Sequence, residues 1–113
     1  MKIISAKISL SDLKRTSEEM FGNLVKAVVD VEKKLMAIGG ELHADEEALL
    51  LENGSRQQDL WGINIYPEIE DGGWIEFDSL INLRPSQGNR TRGIDSSEIR
   101  GKIIEIVDCL IEK

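Results

Sequence analysis

Glu76 and Asp78 stand two residues apart in Trp74-Ile75-Glu76-Phe77-Asp78. On a strand both carboxylates point to one face, about 6.5–7 Å apart, and can converge on one cation or one proton. Continuing the alternation to residue 84 adds Asn82 and Arg84 to the same row, with Trp74 and Leu80 among them. The acid pair suits a hard cation, magnesium or manganese, held by oxygen ligands. The loop that follows, Pro85-Ser86-Gln87-Gly88-Asn89-Arg90-Thr91-Arg92, supplies amide donors at Gln87 and Asn89. Its Arg90 and Arg92 carry the planar fork that clamps a phosphate or carboxylate. The loop lacks the spacing of a P-loop or a dinucleotide fingerprint. His43, the one histidine, lies beside Asp45 in Glu41-Leu42-His43-Ala44-Asp45, a pairing suited to general-base work. With no second nitrogen ligand, the chain argues against zinc. Each feature also has a plainer reading: an open sheet face, a polar loop, a surface histidine.

The elements that must position these groups follow from periodicity. Lys2–Ile8 alternates and reads as a first strand. Ser9 caps a helix carrying Leu10, Leu13 and Met20, with Asp12 at its third position, that stops near Gly22-Asn23. Residues 24–38 support two readings. Leu24, Val28, Val31, Leu35 and Ile38 fit one continued helix, whereas the β-branched Val28-Val29-Asp30-Val31 favours a hairpin turning near Glu32–Lys34. Residues 42–54 read as a helix with Asp45, Glu46 and Glu47 at its positive end and Asn53-Gly54 as its close. Leu60–Tyr66 and Trp74–Leu83 alternate around Asp71-Gly72-Gly73 and read as a hairpin. Asn64 and Tyr66 of its first strand then join the polar face. Asp95 with Glu98 resembles a capping box for a last helix with Ile99, Ile103, Ile106 and Leu110 on one stripe, and Cys109 near it as a packed thiol. The expected fold is α+β: one domain over 1–113, a mostly antiparallel sheet of four or five strands, and two or three helices on one face.

Composition narrows the function classes. The 113 residues are 41% hydrophobic with a net charge of −7. That is a globular composition, and its field repels nucleic acid. Few aromatic side chains are available for base stacking. No apolar run approaches a membrane span. Residues 41–83 hold one basic and eleven acidic side chains, and residues 84–102 hold five basic and two acidic. The single cysteine forbids an internal disulfide, and no secretory leader is legible, so a cytoplasmic location is expected.

The strings GGELHADEEALLLENGS (39–55), DLWGINIYP (59–67) and IEFDSLINLRPSQGNR (75–90) resemble a family of short bacterial and archaeal proteins of unknown function. The resemblance implies a stand-alone cytosolic domain with no assigned activity, cofactor or site residue. Three functions remain open. One is a binding or regulatory module that forms a homo-oligomer through an open sheet face. The second is a metal-assisted hydrolase or phosphotransfer enzyme. There Glu76 and Asp78 hold the ion, His43 or Asp45 acts as base, and Arg84, Arg90 and Arg92 bind an anionic substrate. The third is a receptor for a small anion, without catalysis.

Overall fold

The computed structural model describes residues 1–113. β-Branched residues and the turn at 31–34 settle the ambiguous segment as a hairpin, β3 (Val25–Asp30) and β4 (Leu35–Ile38). Lys34 turns the corner with φ of 59°, and Asp30 fixes it by accepting the backbone N–H groups of Glu32 and Lys33. β1 (Lys2–Ile4) pairs outside β4, while β5 (Leu60–Ile65) and β6 (Ile75–Glu76) extend the other side. The antiparallel order is β1-β4-β3-β5-β6. The first strand is shorter than the alternation of residues 2–8 suggests. After Ile4 the chain leaves the sheet, and β2 (Ile8–Ser9) pairs in parallel with β7 (Ile111–Glu112).

Three α-helices complete the α+β fold: α1 (Leu10–Glu19), α2 (His43–Glu52) and α3 (Ser97–Leu110). Ser9 caps α1, its hydroxyl accepting from Asp12 N–H at 3.0 Å. The cap of α3 is Ser96, which accepts from Ile99 N–H, and not Asp95, whose carboxylate instead accepts from Thr91 and Arg90. Leu13 of α1 and Ile103, Ile106, Val107 and Leu110 of α3 pack on Val25, Ala27, Val29 and Ile63, forming the main core. Cys109 falls off that stripe and is exposed, contrary to a packed thiol. No helix is long and apolar enough to cross a membrane.

The opposite sheet face is divided. Val28, Ala37 and Leu60 are covered by Leu50 of α2, with Leu49 and Ile81 against them. The rest of that face, beside β6, is polar. So the helices are not confined to one side: α1 and α3 share one face, and α2 takes the apolar half of the other.

The expected long strand over 74–84 is the main correction. Only Ile75–Glu76 pair as a strand; 3-10 turns occupy Gly72–Trp74, Leu80–Asn82 and Pro85–Gln87. Alternation therefore fails past Phe77. Trp74 is buried in the main core, and Ser79 and Asn82 are buried, while Leu80 and Leu83 are exposed. The cause lies at Gly62. A Cβ there would stand 2.6 Å from Ser79 Cβ and Oγ, so the missing side chain lets residues 79–82 cross over the sheet. The Asn82 amide then stands in for the departed strand. Its Oδ1 accepts Gly62 N–H at 2.8 Å and its Nδ2 donates to Gly62 O at 2.9 Å.

Candidate functional site

Strand register builds the polar half of the divided face. Lys26 of β3 lies opposite Asn64 of β5, and Asn64 lies opposite Glu76 of β6. One side chain from each strand thus forms a row across the sheet. Asn64 Nδ2 donates to Glu76 Oε1 at 2.9 Å and to Asp78 O at 3.3 Å. Tyr66 hydroxyl donates to the same Glu76 oxygen at 3.1 Å. Arg92 Nε donates to Asp78 Oδ1 at 2.8 Å. Asn64 is 8% exposed, and its Oδ1 is buried with no hydrogen-bond partner. A buried acceptor without a donor is costly, so Asn64 Oδ1 is a local cost that the fold carries within this row.

His43 begins α2 at the border of the apolar and polar halves. Its Nε2 lies 2.8 Å from Ile63 O. A carbonyl only accepts, so Nε2 carries the proton in the neutral ring and Nδ1 keeps the lone pair. Burial lowers the His43 pKa, the Ile63 carbonyl opposes that shift, and Lys26 adds a smaller lowering. The ring is therefore neutral at pH 7. Burial also raises the Tyr66 pKa, with its bond to Glu76 and that carboxylate's charge acting in the same direction.

The structure thus brings together His43, Asn64, Tyr66, Glu76, Asp78 and Arg92, with Lys26 as a member that sequence reasoning missed. Lys26 was legible only as a polar interruption of an apolar strand, and pairing had to be known to place it beside Asn64. Asp45 is exposed on the first turn of α2 and makes no side-chain hydrogen bond to His43. Glu76 and Asp78 each have one oxygen engaged, Oε1 by Asn64 and Tyr66 and Oδ1 by Arg92, and no group of three or more His, Cys, Asp or Glu side chains is arranged to hold a metal ion.

The remaining candidates lock the chain from 79 to 95. Arg84 is buried and does not extend the acid row. Its guanidinium donates to the carbonyls of Ile81, Gln57 and Leu60 and lies 4.4 Å from the Trp61 ring centroid. Burial lowers its pKa, and the Glu47 charge opposes this. Gln87 accepts from Arg84 and donates to Gln58 O. Asn89 Nδ2 donates to the carbonyls of Asn82, Thr91 and Gly93, and its Oδ1 accepts from Asp95 N–H. Of the loop's basic groups, Arg90 is exposed and its guanidinium makes no bond within the chain.

A second buried acid sits under α2. Glu46 is fully buried; its Oε2 accepts Gly40 N–H at 3.0 Å, and Oε1 has no partner. Burial pushes its pKa up to about 9, against the opposing pull of the Gly40 bond, Lys26 and the N-terminal ammonium. It is protonated at neutral pH.

The chain belongs to the family described as protein of unknown function DUF5674, whose family model matches residues 2–110. No curated protein and no solved structure matches it.

Proposed function

We propose that this protein is a small binding or regulatory module that self-associates through the uncovered polar half of its second sheet face. The observation that carries the reading is the row Lys26–Asn64–Glu76, one side chain from each of three neighbouring strands on the half of the face that no helix covers. A patch that meets its own copy about a two-fold axis must be self-complementary. This one contains both signs, Lys26 and Arg92 against Glu76 and Asp78, so a rotated copy can set cation over carboxylate. Leu80, 67% exposed in the turn after Asp78, offers apolar area at the margin. The concavities beside Trp74, along α3 and against β1 are lined by other residues. An uncovered polar surface suits a macromolecular partner better than an enclosed small-molecule reaction.

Sedimentation equilibrium from micromolar to millimolar protein tests the reading. The expected result is a concentration-dependent dimer that weakens with salt and becomes a monomer in a Glu76→Lys, Asp78→Lys variant with native circular dichroism. A monomer throughout, or a dimer indifferent to both changes, overturns it.

A further inference from the structure

We propose that the other side of the molecule, around Trp74, is a binding site for an alkylammonium group, occupied in this structure by the chain's own Lys113. Trp74 ends the 3-10 turn Gly72–Trp74, and Lys113 Nζ stands 3.9 Å from its ring centroid. That is the geometry by which an aromatic face binds a cation, and tryptophan is the strongest such face. Two cavities, of about 240 Å³ and about 110 Å³, flank this contact, and Trp74, Glu70 and Lys113 line both. The lysine stands over the ring at the border of both, so moving it frees the ring face that its ammonium now covers. The larger cavity adds Asp71 and Asp108 to its rim and Ile104, an exposed apolar side chain, to its wall.

The charges around Lys113 are unbalanced. No carboxylate lies within ion-pair distance of its ammonium, so the ring face holds it without a direct acid partner. In the smaller cavity Glu68 is paired with Lys14 at 3.7 Å. Glu70, Asp71 and Asp108 form no ion pair. An incoming ammonium that reaches both the ring and one of these carboxylates makes contacts that Lys113 does not. The apolar wall favours a cation carried on an alkyl chain or bearing methyl groups over a hydrated inorganic ion. Such a group arrives either on a free amine or on a lysine side chain of another protein. The site faces away from the polar row, and its outcome is independent of self-association.

The test follows the Trp74 indole N–H resonance in the full chain, distinguished from that of Trp61 by contacts to Lys113. The probes are butylammonium, tetramethylammonium and a short peptide bearing one trimethylated lysine, each against sodium chloride at equal ionic strength. The expected result is a saturable shift with the organic cations and none with sodium. Lys113→Ala, which removes the internal competitor, tightens binding by roughly two- to fivefold, and Glu70→Gln with Asp108→Asn weakens it. Peptide binding well above that of the free amines assigns the source to a protein lysine; equal binding assigns it to a free amine. A shift that sodium reproduces, no saturable shift, or an affinity unmoved by Lys113→Ala overturns the proposal.

Discussion

Asn82, in the 3-10 turn that crosses β5, and Asn64, within β5, are the same residue type, yet they do opposite things. Asn82 is wholly buried with every polar atom satisfied: its amide pairs with Gly62 and donates also to Arg92 O. Asn64, one register step away, is buried with an acceptor left open. Arg84 and Arg92 repeat the contrast. Arg84 is bound to three backbone carbonyls and stacked on Trp61, whereas Arg92 is an exposed side chain with one acid partner. The saturated groups are scaffold, whereas Arg92, exposed and held by a single acid, is the one that a group outside the chain can reach. Residue type alone does not separate them; the account of donors and acceptors does.

That contrast breaks first at Arg84. Arg84→Met leaves the carbonyls of Gln57, Leu60 and Ile81 without their donor and is expected to cost about 4 kcal/mol, read by urea denaturation. Next comes Gly62→Ala, which drives a methyl group into Ser79 and costs about 2–3 kcal/mol. Adding Ser79→Gly recovers part of that loss, and the coupling in a double-mutant cycle measures the contact.

Glu46 sharpens the same comparison through pH. Its carboxyl keeps its proton to about pH 9 in the fold but only to about 4.5 when unfolded. Between those values the folded state binds the extra proton, so this group's contribution to stability falls as pH rises. Glu46→Gln stays neutral and keeps an acceptor for Gly40 N–H. Wild type and variant are expected to match near pH 4. The variant becomes the more stable by about 3 kcal/mol at pH 7, in denaturation curves taken across that range. The smallest change in stability is expected at the open group. Asn64→Ala costs less than about 1 kcal/mol, because one of its polar atoms already lacks a partner. It nonetheless weakens self-association in sedimentation, because Glu76 loses the donor that holds it in the row, whereas Asn82→Ala destabilises the fold several times more.

Much of the scaffold was legible because its signals are local. Ser9 before Leu10, Asn53-Gly54 after α2, and Ile103, Ile106, Val107 and Leu110 at helical spacing each specify an element from a few neighbouring residues. The hairpin at 25–38 was legible for the same reason, once β-branching outweighed a coincident helical period. The candidate site was legible in part. Glu76, Asp78, Asn64 and Tyr66 were selected by strand parity; the short β5–β6 pairing preserves it for Asn64 and Glu76, while Asp78, beyond the pairing, is held near the row by Arg92. Asn82 and Arg84 were assigned to the same row by extending that parity over residues that are not a strand. Glycine in mid-strand at Gly62 was the available sign that another segment approaches closely there.

The sequence by itself determined the three helices, the hairpin at 25–38, the strand at 60–65 and which of their side chains are oily enough to face a core, since periods of 3.6 and 2 are properties of the backbone at short range. Tertiary structure alone decided which polar groups are satisfied. Asn82 finds Gly62 across 20 residues, Arg84 finds Gln57 across 27, and Lys113 comes to rest on Trp74. A donor's partner is set by proximity in space, and proximity at that separation is fixed only when the whole chain has packed.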